Sequence, residues 1–332
     1  MSKFIKTFLV LALISPATIF SYEFSAMTLN VDNLFDTLDD VKKDDKAYLP
    51  IQFKQSDAHK KSCNRIRVNS WKDECLYLDW NEDTKNAKLI NIANSILSYG
   101  SKGPDIIALQ EVENNNILNQ LLELLRPYGF VDSVLIEGKD YRGIDTALIT
   151  KFKILDSKLH YIKFSGEFEG KDTRPILDAT LEINGEKIKI YNVHFPSGFH
   201  DVSMRVDSLN VLSKLLNSHD YPTIALGDFN VNTKEDNQLD IYQSQEAFWS
   251  VAHIFGCKDC KGSFYYNYGK TWEFLDTIFL SKDRDILYIK DSIDIYRTKS
   301  NSYSDTGRPK NFNPSKKYGV SDHLPMVAKF RI

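Results

Sequence analysis

Apolar and polar positions along the chain fall into two rhythms, one of period two and one of helical period. Phe24 to Val31 alternates loosely and predicts a strand that ends on polar Asn30, Asp32 and Asn33. Within 84–99, Leu89, Ile92, Ala93, Ile96 and Leu97 recur at helical spacing, and Gly100 beyond them is a stop signal. Pro104 leads into Asp-Ile-Ile-Ala-Leu-Gln, an apolar strand that terminates at Glu111, and a helix resumes over 116–125. Strands are predicted over 144–149, 176–183 and 187–193, with Asn184-Gly185 joining the last two as a hairpin. Val202 to Asn217 reads as an amphipathic helix, followed by a buried strand from Thr223 to Leu226 and further strands over 274–280 and 324–330. Between the first strand and the first helix, residues 37–85 are charged and irregular, a long insertion of the kind that forms a functional surface loop.

Strands and helices thus alternate, which predicts an α/β fold with parallel and antiparallel pairing. No repeat, low-complexity tract or Gly/Ser linker marks a second domain, so 22–332 is expected to be one domain. Residues 1–21 are set apart: Lys3 and Lys6 precede an uncharged apolar run from Phe8 to Phe20. That run is too short for a membrane span and suits the core of a signal peptide; a retained N-terminal anchor is the alternative. No later segment is long and apolar enough to cross a bilayer. Export to the periplasm or the medium is therefore expected.

Export changes the reading of the four cysteines, which are too few to staple a chain of 332 residues but can form disulfides. They fall as two local pairs, Cys63 with Cys75 and Cys257 with Cys260, although four cysteines allow three pairings. Zinc competes for Cys257-Lys-Asp-Cys260, but the other pair lacks the spacing of a four-ligand site. The formal net charge of −3 excludes a polybasic protein that coats nucleic acid through bulk charge. It leaves room for a local basic groove or for an acidic site whose charge a cation offsets.

Chemistry enters at the strand ends. Five apolar strands stop at Leu29-Asn30-Val31-Asp32, Leu109-Gln110-Glu111, Asn192-Val193-His194, Gly227-Asp228-Phe229-Asn230 and Ser321-Asp322-His323. Asp276 sits inside a sixth, Phe274-Leu275-Asp276-Thr277-Ile278. A carboxylate inside an apolar strand is costly unless it is paired or ligating. One such residue is most often a cap or a satisfied hydrogen bond. Convergence of several is harder to explain that way, because sheet ends are where α/β sites form.

Taken in order, these motifs resemble the endonuclease/exonuclease/phosphatase superfamily, of the deoxyribonuclease I-like type. The likeness is strongest to an exported bacterial group with Asn-Val-x-Asn-Leu-Phe-Asp (30–36), Leu-Gln-Glu-Val-Glu (109–113) and Arg-Gly-Ile-Asp-x-Ala-Leu (142–148). His-Phe-Pro-Ser (194–197), Gly-Asp-Phe-Asn (227–230), Trp272 to Ser281 and Ser-Asp-His-Leu-Pro (321–325) complete it. The resemblance implies a four-layer α/β/β/α sandwich, two mixed sheets face to face with helices outside, and phosphoester hydrolysis dependent on a divalent metal. It further implies that Glu111, Asn30, Asp322 and Asp32 surround the metal. By the same likeness His323 is the general base, Asp276 orients it, and Asp228 with Asn230 positions the attacking water and the phosphate. His194 contacts a phosphate oxygen, with Asp145 as its possible partner and Arg174 near the site or in a surface ion pair.

Oxygen ligands of this kind suit Mg²⁺, with Mn²⁺ or Ca²⁺ as substitutes, and no His-rich or Cys-rich set supports catalytic zinc. A monomeric nuclease acting on DNA or RNA is the leading expectation. Its basic contacts would come from 54–67 and from Arg308, Lys310, Lys316 and Lys317 at the site rim. A phospholipid or sphingomyelin phosphodiesterase, or a phosphoinositide phosphatase, is the alternative, kept open by the aromatic run Phe264, Tyr265, Tyr266 and Tyr268. A non-catalytic binding protein or toxin subunit needs no such set of acids and histidines. The other histidines, His160, His200, His219 and His253, read as structural or solvated, and His59 lies in the basic insertion.

Overall fold

The computed structural model of the chain describes residues 21–257 and 260–332, so the predicted signal stretch lies outside the described residues apart from Ser21. In chain order the strands are β1 (Glu23–Leu34), β2 (Ile106–Val112), β3 (Asp132–Leu135), β4 (Asp145–Thr150), β5 (Lys153–His160), β6 (Ile176–Ile183), β7 (Glu186–His194) and β8 (Thr223–Asp228). They continue as β9 (Trp249–Val251), β10 (Phe264–Tyr266), β11 (Thr271–Glu273), β12 (Asp276–Ser281), β13 (Leu287–Tyr288), β14 (Asp294–Ile295) and β15 (Met326–Arg331). The helices are α1 (Asp57–Cys63), α2 (Asn69–Tyr77), α3 (Glu82–Leu97), α4 (Asn115–Leu125), α5 (Val202–Leu216), α6 (Thr233–Leu239), α7 (Ile241–Gln245) and α8 (Ala252–Phe255).

Two mixed sheets result. The first runs β13-β15-β1-β2-β4-β3, with β14 also on β15; the second runs β5-β6-β7-β8-β12-β9. Only β1 with β2 and β7 with β8 pair in parallel within them. Strand alternation sorts side chains into three cores. Ala26, Ile106, Ala108 and Leu148 of the first sheet meet Leu177, Ile190, Leu226, Ile278 and Leu280 of the second in an inter-sheet core. On the first sheet's other face, Met27, Leu29, Ile107 and Ile149 pack on Ile92 and Ile96 of α3 and on Leu118, Leu121 and Leu125 of α4. On the second sheet's outer face, Tyr191, Val193, Ala225 and Phe279 pack on Met204, Leu209 and Leu212 of α5. This is the four-layer arrangement expected, with both faces of each sheet covered.

One buried polar network crosses the inter-sheet core. Gln110 Nε2 donates to Asn192 Oδ1 at 2.7 Å, and Asn192 Nδ2 donates to the carbonyls of Leu109 and Ala147 at 2.9 and 2.8 Å. A buried amide with its donors and its acceptor engaged ties the sheets at one register.

The 37–85 stretch holds regular pieces where no period is visible in its sequence. Short α1 and α2 are joined by the Cys63–Cys75 disulfide, with Cα atoms 5.6 Å apart. Phe35, Trp80, Ile144 and Phe312 form a small fourth core beneath it, with Tyr48 stacked on Phe35 at 4.1 Å. Cys257 and Cys260 form the second disulfide, so the local pairs, and not zinc, use the four cysteines.

Candidate active site

The site is the end of the inter-sheet core. Along β7, β8 and β12 the inward-facing series Ile190, Asn192, His194, then Ile224, Leu226, Asp228, then Leu280, Ile278, Asp276 turns from apolar to functional at its last member. Strand register places His194 opposite Asp228 and Asp228 opposite Asp276, so three groups stand in a row across adjacent strands. The first sheet contributes Asn30 from β1 and Glu111 from β2. At Glu111 the pairing of β2 slips relative to β1 and β4, and its φ is +65°. Such a bulge re-aims one side chain. Asp32, Asn33 and Asn230 also hold positive φ, at 53°, 64° and 54°. For residues other than glycine that conformation costs about 1–3 kcal/mol each and concentrates at functional sites. Gly227 explains the Gly-Asp pair: at φ +146° a Cβ there would lie 2.1 Å from the Val193 carbonyl oxygen, so only glycine lets β8 approach β7 beside His194.

Asp322 and His323 arrive on the loop before β15. Ser321 fixes them, its Oγ donating to the Asn30 carbonyl at 2.7 Å and accepting from the His323 amide at 3.0 Å. His323 Nδ1 lies 2.6 Å from Asp276 Oδ2, and Asp276 is 0% exposed. Asp276 therefore holds the Nδ1–H tautomer and leaves Nε2 as the basic nitrogen. Burial alone would lower the His323 pKa. The carboxylates of Asp276, Asp322 and Asp228 outweigh it and raise the pKa well above 6.5. Asp228 is raised by burial and by Asp276 beside it, and Asp322 by burial and by Asp32. His194 goes the other way: burial, reinforced by Arg174 and Arg142, holds it well below 6.5, so it is neutral at pH 7.

The remaining contacts complete the set. Asn30 Nδ2 donates to Asp228 Oδ2 at 3.1 Å and to Glu111 Oε1 at 3.4 Å. Asn230 Nδ2 donates to the Phe195 carbonyl at 3.1 Å, and its amide to Asp228 Oδ1 at 2.9 Å. His194 Nε2 is 3.7 Å from Asp228 and 3.8 Å from Glu111. Its Nδ1 has no partner, and neither has Asp145 Oδ2; the pairing of Asp145 with His194 is not formed, and Asp145 Oδ1 instead accepts from the Gly138 amide at 2.9 Å. Arg174 is both things the sequence allowed. It ion-pairs with Asp140 at 3.2 Å and braces the site by donating to the His194 and Phe195 carbonyls. Glu111, Asp32 and Asp322 form an all-oxygen acidic face, the donor chemistry that suits a hard divalent cation.

All nine residues singled out from the sequence line or border one cleft of about 990 Å³, Asp276 from behind His323. Behind and along its walls stand residues that sequence reasoning missed. Lys88, on the apolar stripe of α3 between Lys85 and Ile92, buries its ammonium against the Asp32 carbonyl. A lysine on a helix's buried face was the available signal. The cations lining the cleft are Lys46, Lys139, Arg142 and Arg174. Several of the cations expected there are engaged elsewhere. Lys54 pegs the insertion through the carbonyls of Ala47 and Leu78 at 2.6 Å, Arg308 stacks on Tyr265 at 3.8 Å, and Lys317 pairs with Asp83 at 3.6 Å. His59 bonds the Cys75 carbonyl, His160 pairs with Asp178, His219 with Tyr191 and His253 with Thr277, whereas His200 lines the cleft. Phe264 packs on His323 at 5.0 Å and lines the cleft too.

The sequence model of the endonuclease/exonuclease/phosphatase family matches residues 77–331, most of the chain. The chain belongs to this family. Members of the family are metal-dependent phosphoester hydrolases. Solved structures share the family fold at low identity. A family protein from Bacteroides thetaiotaomicron is similar at 16% identity and TM-score 0.57, over 94% of this chain and 98% of that one. A mannosyl-6-phosphatase from the same species matches at 14% identity and TM-score 0.55, over 92% and 99%. D. rerio TDP2 complexed with single strand DNA product matches at 18% identity and TM-score 0.53, over 93% and 98%. No curated protein matches the chain significantly. Among the described residues no helix is long and apolar enough to cross a membrane.

Proposed function

We propose that the protein is an exported, monomeric, Mg²⁺-dependent nuclease, folded as one domain over 22–332, that hydrolyses phosphodiester bonds in DNA or RNA. The observation that carries the chemistry is the buried His323–Asp276 pair at 2.6 Å, set beside an all-oxygen acidic face. In this reading His323 Nε2 takes the proton of the attacking water while Asp276 keeps Nδ1 protonated and the ring aimed. Asp228 and Asn230 hold the water and a phosphoryl oxygen; Asn230 does so without adding negative charge. Neutral His194 donates to a second phosphoryl oxygen. A divalent cation on Glu111, Asp322, Asn30 and Asp32 would offset the charge that builds on the phosphoryl and leaving oxygens.

The walls support a polymeric, base-bearing substrate. Lys46, Lys139, Arg142 and Arg174 line the cleft, each paired with an aspartate (Asp44, Asp172, and Asp140 for both arginines) whose place a backbone phosphate would share. Trp71 from α2 of the insertion, and Tyr141 and Phe199 from two loops, stand 56%, 67% and 94% exposed around it. Exposed aromatic faces beside a cationic groove are what unpaired bases stack on. The test is a panel of single-stranded DNA, RNA, plasmid, sphingomyelin vesicles and sugar phosphates with Mg²⁺, on wild type and His323→Ala together. Nucleic-acid cleavage by wild type alone is expected. Intact nucleic acids with choline or inorganic phosphate released would replace the nuclease reading with the lipid or monoester one.

A further inference from the structure

A second group of acids lies outside the catalytic set. Asp40 and Asp45, in the loop that opens the insertion, and Glu113, just beyond β2, bring one carboxylate oxygen each within 4.8 Å of one another. The place is built and closed. Asp45 is 1% exposed; its Oδ2 accepts from the Asp40 amide at 2.7 Å, while its Oδ1 is buried without any partner. Glu113 Oε2 accepts from the Asp36 amide at 2.7 Å, and Asn114 Nδ2 reaches Asp36 at 3.2 Å and Asp40 at 3.5 Å. The charges acting most strongly on Asp45 are further carboxylates, Asp39 and Asp40. Burial, seconded by them, raises the Asp45 pKa to about 6. A buried carboxylate oxygen that has neither donor nor cation is costly, and here it stands among further carboxylates whose charge a cation would offset.

We infer that Asp40, Asp45 and Glu113 bind a structural Ca²⁺ ion. The donors are hard oxygens on an irregular loop, which suits calcium's flexible coordination by six to eight oxygens better than the strict octahedron of magnesium. The site joins the start of the insertion to the strand end that carries Glu111, two residues before Glu113. The same loop continues into Asp44, whose amide donates to the Tyr141 carbonyl at 2.8 Å, and into Lys46 and Tyr48 of the cleft wall. The ion therefore fixes one wall of the cleft to the catalytic floor. This holds whatever the substrate, so its failure and that of the nuclease reading are separable.

The experiment uses the full chain stripped with EDTA and titrated with CaCl₂ by calorimetry and thermal unfolding. Glu111→Gln serves as the background in which the active-site metal position is weakened by the loss of one of its three carboxylates. There, Ca²⁺ is expected to raise Tm, on the order of 5 °C at about a hundredfold excess over Kd. Asp40→Asn keeps the acceptor for Asn114 and should bind Ca²⁺ at least about tenfold more weakly. In the same background Asp45→Asn should lose the Ca²⁺ response and, without the ion, should be more stable than Glu111→Gln alone at pH 8. Ca²⁺ affinity unchanged from Glu111→Gln in both Asn variants, or no Ca²⁺ response in Glu111→Gln itself, would overturn the assignment.

Discussion

Replacing Asp276 with Asn changes one oxygen for an NH₂ group on the most buried carboxylate of the site. At 2.6 Å, and with an effective dielectric of about 20, the Asp276–His323 attraction amounts to about 6 kcal/mol. Part of that is offset by burying both groups, because His323 is itself almost wholly covered. Two effects follow. The Asn amide presents a donor to Nδ1, which favours the tautomer with its proton on Nε2, where it cannot accept one. The imidazolium also loses its nearest counter-charge, so the His323 pKa falls. A positioned base contributes about 10²–10⁴ in rate, or about 3–5 kcal/mol at about 1.36 kcal/mol per decade. Asp276→Asn should therefore lower kcat by that factor with KM little changed. Because the free base is the active form, activity rises with pH through the His323 pKa, and the acidic limb should move to lower pH in the variant. Steady-state rates on an oligonucleotide from pH 4.5 to 9 measure both. A plateau rate within about threefold of wild type, or an acidic limb that stays in place, would refute the dyad.

Trp71→Ala should raise KM for single-stranded DNA about tenfold, within the about 1–3 kcal/mol of one stacked base, and leave hydrolysis of bis(p-nitrophenyl) phosphate unchanged; equal effects on both would place Trp71 in the fold alone. Asn192→Ala removes the amide that bridges the sheets, leaving Gln110 Nε2 with Thr28 Oγ1 alone at 3.2 Å and taking a donor from two carbonyls. Its unfolding free energy in urea should drop by about 3 kcal/mol, and a loss below about 1 kcal/mol would show that the network does not tie the sheets.

What was legible in the sequence was whatever repeats within a few residues. Apart from β5, the long strands and α3, α4 and α5 have strong periods and were found within three residues of their observed ends. Edge strands β3 and β5 were not: β5 is half exposed, and a register slip between Ile154 and Asp156 breaks its alternation. β13 and β14 hold two residues each, too few for any pattern, and exist only because β15 offers an edge. The chemical residues at strand ends were visible because a polar group after an apolar run is locally conspicuous. The cleft walls were not, because which lysine faces a cleft depends on how loops far apart in sequence settle against each other. Lys310 and Lys46 look alike in the chain; the first bonds the Lys299 carbonyl and the second lines the cleft. The acid cluster at Asp40, Asp45 and Glu113 escaped notice for the same reason, since about seventy residues separate its two halves in the chain.

The row His194, Asp228, Asp276 also sets how this chain can change by insertion and deletion. Its spacing is that of hydrogen-bonded strands, about 4.8 Å per step, and its facing is set by the parity of residues along each strand. One residue added within Thr223–Asp228 would turn Asp228 from the cleft toward the α5 side and carry the apolar residues with it. Between the strands the chain has no such parity to keep, and nearly fifty residues fit between β1 and α3 without moving a functional group. Length variation should therefore concentrate between elements, where it reshapes what the cleft admits, while the frame that performs the reaction keeps its count.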